Sequence, residues 1–264
     1  MISILVTGDI VYTGSEVLRK GYVYVRGGRV IDLGEGSPPE EYTYATLVLG
    51  GSGRIVVPGL RVIADPLLYP FRYTELYDSP CKLYRQLSPS EAFRLSLPGI
   101  YTLHMLGVSS VAVRYVSEDL PYSLKRSLDA DFDLYRVECG DSRSNELESE
   151  GVIIDPLNDF QAIKDPLDYS GMVSKLLGKE PPMISKDSIA NIAVFNARSP
   201  PLFAVVEYSS RLDPANLYGR AGWVESLLYG ENILVDSGEH IYIVEKHLRE
   251  AYNIATNIAS RYSR

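Results

Sequence analysis

Four carboxylates stand where strand-like segments give way to loops: Asp65, Glu138, Asp141 and Asp155. The carboxyl ends of parallel strands are where α/β folds collect functional groups, and four converging carboxylates suit Mg²⁺ or Mn²⁺. A competing reading comes from the dipeptides themselves. Asp65-Pro66, Asp155-Pro156, Asp165-Pro166 and Asp213-Pro214 share one pattern, in which Asp accepts backbone hydrogen bonds and Pro fixes φ to start a turn. Turn chemistry is the better explanation, so the four carboxylates remain candidates for catalysis and no metal or cofactor is assigned to them.

Other chemistries find less support. The three histidines, His104, His240 and His247, fall on separate predicted elements, whereas a metal-hydroxide hydrolase needs at least three converging ligands and an open position for water. Cys81 and Cys139 are too few and too distant for a disulfide scaffold or a zinc ribbon. No Gly-x-Ser-x-Gly elbow occurs. Gly50-Gly51-Ser52-Gly53 lacks the Lys-Ser/Thr and the helix of a phosphate loop, and reads as a hairpin turn. The stretch from Tyr69 to Tyr84 interleaves Tyr69, Phe71, Tyr73 and Tyr77 with Arg72 and Lys82. It reads as an interface or a cover over a short core rather than as a stacking platform for a single strand.

The elements that would position these groups follow from periodicity. The first sixty residues alternate like strands, and Gly27-Gly28 supplies the positive φ of a two-residue hairpin between Tyr22–Val25 and Val30–Leu33. A further pair, Ala45–Leu49 and Arg54–Val57, completes a compact antiparallel module. Ser88-Pro89-Ser90-Glu91 is a capping box that opens a helix running to Gly107, with a kink expected at Pro98-Gly99. Val108–Tyr115, Tyr122–Leu128, Phe132–Glu138 and Val152–Ile154 then alternate strand and helix, which implies parallel pairing. A helix over Tyr169–Leu177 precedes a return to strands at Ile189–Phe195, Leu202–Tyr208, Trp223–Tyr229 and Glu239–Val244. The tail from Glu245 to Tyr262 carries Leu248, Ala251, Ala255 and Ile258 on one helical stripe.

Composition bounds the partners. The chain has 264 residues, 45% hydrophobic and 23% charged, the balance of a packed globular protein. With 26 basic against 34 acidic residues the net charge is -8, which disfavours a nucleic-acid partner. No apolar run reaches the roughly 20 residues of a membrane span, and the start lacks a basic segment followed by a long apolar one; the expected location is cytoplasmic. Tyr at 20 copies against 6 Phe supplies flat contact surface with a polar tip, compatible with extensive interfaces.

Three patches carry a family resemblance. Gly21-Tyr-Val-Tyr-Val-Arg-Gly-Gly-Arg-Val-Ile-Asp-Leu-Gly34, followed by Gly53-Arg-Ile-Val-Val-Pro-Gly-Leu60, resembles the N-terminal signature of the amidohydrolase superfamily, near its cytosine and guanine deaminase-like and dihydroorotase-like branch. Asp187-Ser-Ile-Ala-Asn-Ile-Ala-Val-Phe-Asn196 is similar to the family's return strand, and Val224–Gly238 to its closing hairpin. The resemblance implies a composite β-sandwich formed by both chain ends around a metal-bearing (β/α) barrel. At the barrel's first strand the family carries a His-x-His pair; alignment on Pro58-Gly59-Leu60 places Ala64 and Pro66 there. Neither side chain has a lone pair for a cation. From Pro66 to Ile189 there are 124 residues, against about 250 for a full eight-stranded barrel.

The expectation is therefore an α/β plus β fold: a composite β-sandwich (residues 1–60 and 187–244), an inserted, shortened barrel-like segment (61–186) and a C-terminal helix (245–264). The expected role is that of a non-catalytic binding or scaffolding subunit, working as a homodimer or with another protein partner, with a small-molecule ligand possible. The alternative is a residual hydrolase of C–N bonds in a small cyclic amide or amine, other than peptide bonds.

Overall fold

A computed structural model of the chain describes residues 2–76, 83–114, 119–135, 163, 165–202, 217–218 and 222–262. In chain order the strands are β1 (Ser3–Tyr12), β2 (Val17–Arg26), β3 (Arg29–Gly34), β4 (Leu47–Pro58), β5 (Leu60–Ala64), β6 (Val108–Arg114), β7 (Asp131–Tyr135), β8 (Asn191–Asn196), β9 (Ser226–Tyr229), β10 (Asn232–Asp236) and β11 (Glu239–His240). The helices are α1 (Pro89–Met105), α2 (Asp119–Leu128), α3 (Pro166–Leu176) and α4 (Glu245–Tyr262). The fold is α/β: a mixed eight-stranded sheet in the order β11-β10-β9-β8-β4-β1-β2-β3, and a three-stranded parallel sheet in the order β5-β6-β7. Two compact units are present: Met1–Arg61 with His104–Ser109 and Lys164–Glu239, and Val62–Leu103 with Ser110–Ile163 and His240–Arg264. Among the described residues no helix is long and apolar enough to cross a membrane.

The first unit holds most of the mixed sheet. The β2–β3 hairpin turns at Gly27 and Gly28, whose φ angles of 61° and 73° suit the expected tight turn. The segment before β8 then bridges back to β3: Arg29 pairs with Ile189, Val30 N donates to Ser188 O at 3.0 Å, and Ala190 N donates to Gly28 O at 2.9 Å. Strands from the two chain ends thus meet twice, through β4–β8 and through this bridge. Val6, Val23, Val25, Val30, Val56, Ile192 and Val194 are buried together in one hydrophobic cluster.

Two expectations for this unit are corrected. Residues 50–53 are not a hairpin turn: β4 continues through them, and its register against β1 shifts between Gly8 and Ile10. The pairing of β1 with β4 is also parallel, so the opening module is mixed rather than antiparallel. The glycines serve a bulge instead. A Cβ on Gly50 would stand 2.0 Å from Thr7 O, and Gly50, Gly51 and Gly53 all have positive φ, which glycine accommodates where an L side chain does not.

The second unit is built on β5, β6 and β7. All five residues of β5 are buried, as expected for a parallel strand covered on both faces. The capping box of α1 is formed as expected: Glu91 N donates to Ser88 Oγ at 3.3 Å and Ser88 N to Glu91 Oε2 at 2.9 Å. The Ser88 bonds hold the Glu91 carboxyl below its ordinary range. The helix runs on through Pro98. Its Gly99 is required by a close approach, because a Cβ there would meet Pro66 O at 2.6 Å.

The expected strand at Glu239–Val244 ends after His240. The His240 imidazole takes the backbone donors that a ladder would use, since Nδ1 accepts from Tyr242 N at 3.1 Å and from Ile243 N at 3.0 Å. The tail helix occupies the expected span, and Glu250 accepts from Arg94 of α1 at 2.8 Å.

Candidate functional site

The start of β5 is fixed by polar contacts between distant parts of the sequence. Gly59 N donates to Asn191 O at 3.0 Å, and Asn191 Nδ2 returns a bond to Gly59 O at 2.9 Å. Asn191 Oδ1 also accepts from Ser109 Oγ. A Cβ on Gly59 would lie 1.9 Å from Asn191 Oδ1, so only glycine fits. The Tyr218 hydroxyl donates to Pro58 O, and its ring packs edge-on against Phe195 at 5.7 Å; complete burial pushes this phenol well above its ordinary pKa. One residue into β5, Arg61 N donates to Ser170 Oγ of α3 at 2.6 Å, while Arg61 Nη1 donates to Ser174 Oγ at 2.8 Å and Glu180 O at 3.0 Å.

At the other end of β5 stand Ala64, Asp65 and Pro66, all three buried. The chain turns there: Asp65 O accepts from Leu68 N at 3.1 Å, and a 3-10 turn over Tyr69–Phe71 follows. The side chain takes a different part. Asp65 Oδ2 accepts a hydrogen bond from the Tyr84 hydroxyl. Asp165, in the same Asp-Pro pattern, shows the turn chemistry in full: its Oδ1 accepts from Leu167 N at 3.0 Å and Asp168 N at 3.1 Å and caps α3. Two Asp-Pro pairs thus have different uses.

The site at the end of β5 does not fit a divalent cation held in the manner the family resemblance implies. Ala64 presents a methyl, the Pro66 nitrogen lies in a peptide bond, and the one carboxylate between them is engaged by a phenol. Among the described residues no three His, Cys, Asp or Glu side chains are grouped so as to hold a metal ion. Glu138, Asp141 and Asp155 lie outside the described residues, as do Cys81 and Cys139.

The histidines have local surroundings of their own. His104 is fully buried. His240 is buried and stacked on Tyr101 at 5.7 Å, and burial lowers its pKa to about 4. His247 Nδ1 accepts from Val244 N at 3.3 Å at the start of α4. Sequence reasoning missed Tyr84 as the partner of Asp65; its only signal was the tyrosine density of the stretch that holds it. Reasoning from sequence also passed over Asp131, which is buried on β7 and accepts from Ser110 Oγ of β6 at 2.8 Å.

No sequence-family pattern and no curated protein sequence matches the chain. Solved structures do. A triazine hydrolase variant superposes with a TM-score of 0.71 at 9% identity, covering 97% of this chain and 100% of that one. The zinc complex of atrazine chlorohydrolase from Arthrobacter aurescens TC1 gives 0.67 at 10% identity, covering 96% and 100%. A zinc-bound adenosine deaminase from Xanthomonas campestris gives 0.64 at 8% identity, covering 98% and 99%. These are hydrolases of the amidohydrolase superfamily, the family whose N-terminal and return-strand patterns the sequence resembles. At such identities the likeness is one of fold.

Proposed function

We propose that the chain keeps the amidohydrolase framework without its metal-hydroxide chemistry and acts as a binding or scaffolding subunit, as a homodimer or with another protein. In this reading the eight-stranded sheet is the family's composite sandwich and the β5-β6-β7 layer is the remnant of its barrel. One observation carries the proposal: the end of β5 presents Ala64, a phenol-bonded Asp65 and Pro66, where the family has its His-x-His pair. Activation of water by a cation needs ligands with lone pairs, and fold alone does not confer function.

A second reading has support of its own. The structural neighbours are named as hydrolases and a deaminase, and Asp65 is a buried carboxyl group at the carboxyl end of a parallel strand, where a general base would stand. On this reading the chain hydrolyses a C–N bond of a small cyclic amide or amine through carboxylates.

The two are separated by assaying ring opening and ammonia release on a panel of cyclic amides and amino-heterocycles, for the native chain and for Asp65→Asn. The binding reading expects no turnover above background in either protein. Turnover that disappears in a folded Asp65→Asn protein would establish the hydrolase instead.

A further inference from the structure

We propose that the turn from Tyr69 to Tyr73 docks a second copy of this chain, and that its Arg72 guanidinium receives the Glu40 and Glu41 carboxylates of that copy. The inference names the contact of the homodimer proposed above and rests on that reading.

The guanidinium carbon of Arg72 lies 4.6 Å from the centre of the Tyr69 ring and 4.8 Å from that of the Tyr73 ring. Such cation–π contacts balance part of the charge but give the five N–H donors of a guanidinium no oxygen to bond. Among the described residues Arg72 has neither a carboxylate partner nor a hydrogen-bond acceptor. The turn is preformed, because Phe71 is 1% exposed and its carbonyl accepts from Thr74 N at 2.8 Å and from Thr74 Oγ1 at 2.9 Å. Tyr73 is 88% exposed, the highest value of any large hydrophobic side chain described. Arg and Tyr on a rigid support are the residue types that carry binding energy at protein interfaces.

The charge of the occupant follows from the cation. A guanidinium with unfilled donors takes a carboxylate in a charge-assisted pair, and the chain itself carries a matching surface. The 3-10 turn Glu40–Tyr44 exposes Glu40 and Glu41 and holds no basic residue. Among the described residues neither carboxylate has a cation or a hydrogen-bond donor. Tyr44, at the end of this turn, is 79% exposed, second only to Tyr73. This turn is preformed as well, since the Tyr42 ring stacks on Tyr24 of β2 at 4.0 Å with 6° between the planes. A basic and an acidic turn, each with an exposed tyrosine, match in charge and in apolar surface. Copies that each carry a net charge of -8 repel as wholes, so a local pairing of opposite charges selects which surfaces meet. Made reciprocally, the contact closes a two-fold dimer.

The test is sedimentation velocity on the full chain, on Arg72→Glu and on the Glu40→Arg/Glu41→Arg double variant, each alone and the two variants mixed in equal amounts. The native chain should self-associate, more weakly as salt is raised. Each variant alone should associate at least about tenfold more weakly, because like charges then face one another. The mixture should recover association near the native level, since every contact between unlike chains again pairs Arg with Glu. A native dimer that neither variant weakens, or a mixture that does not recover, removes this contact and leaves the homodimer standing. A native chain that stays monomeric removes both and leaves the surface to a different protein. Should Arg72→Glu not melt cooperatively, Tyr73→Ala takes its place with the double variant: it alters the most exposed side chain of the turn and should weaken association about tenfold, and unchanged association would overturn the proposal.

Discussion

Asn191 and Gly59, 132 positions apart, hold one another by two hydrogen bonds: Gly59 N to Asn191 O at 3.0 Å and Asn191 Nδ2 to Gly59 O at 2.9 Å. Through this pair the first residue of β8 sets where β5 begins, and β5 ends in the candidate site. Replacing Asn191 by Ala leaves the Gly59 carbonyl and the Ser109 hydroxyl without this partner in a buried place, a loss of about 2 kcal/mol. Gly59→Ala forces a methyl against Asn191 Oδ1, an overpacking cost of about 1–3 kcal/mol on top of the broken bond. Both proteins should melt several degrees lower, and the double variant should lose less than the sum of the two, as expected for groups in direct contact. Additive losses would show that the pair is not coupled.

The glycine bulge in β4 gives a second stability prediction. Gly50 combines a φ of 84° with a Cβ position 2.0 Å from Thr7 O. Gly50→Ala should cost more than about 2 kcal/mol, from backbone strain and overlap together. Gly36→Ala, at a φ of 89° but with nothing within 4 Å of the new methyl, should cost only the strain, about 1 kcal/mol. Chemical denaturation of the two variants checks the difference; equal midpoints would contradict the bulge.

Asp165 and Asp65 make a matched comparison. Asp165→Ala removes the cap of α3 and should destabilise by about 1 kcal/mol, with Asp165→Ser restoring most of it. Asp65→Ala should not be restored by Ser, because its carboxylate bonds a tyrosine hydroxyl rather than helix N–H groups. Equal rescue by Ser at both positions would return Asp65 to ordinary turn chemistry.

His240 predicts a pH dependence whose direction is fixed by burial. Its pKa falls from 6.5 to about 4 on folding, so between those values the unfolded chain binds the proton and the folded one does not. The stabilisation is complete above pH 6.5 and is lost as pH falls toward 4, at up to about 1.4 kcal/mol per pH unit. Protonation would also place a proton on Nδ1, facing the N–H groups of Tyr242 and Ile243. His240→Gln should flatten the dependence of stability on pH across this window relative to the native chain. An unchanged slope would show that His240 does not titrate there.

The legibility of this protein in its sequence followed the range of the forces involved. The Ser88–Glu91 capping box, the Gly27-Gly28 turn and the span Glu245–Tyr262 are encoded within a few residues, and the structure places them where local chemistry indicates. Gly50–Gly53 read as a hairpin turn, but the same positive φ angles serve a bulge, and parallel β1–β4 pairing, a non-local choice, decided for the bulge. At the candidate site Asp65 was legible as a carboxylate at a strand end. Its bond to Tyr84 was not, because no spacing rule joins a strand terminus to a side chain beyond the next turn. Ser109, Asn191 and Gly59 were invisible as a group for the same reason.

A framework without a catalytic cation should carry no stoichiometric metal when the chain is purified without chelator or affinity tag, and elemental analysis measures this. Zinc, iron, manganese and nickel should each lie far below one ion per chain, with no change in melting temperature on dialysis against a chelator. An ion bound at one per chain, whose removal lowers the melting temperature and which Asp65→Asn no longer retains, would contradict it.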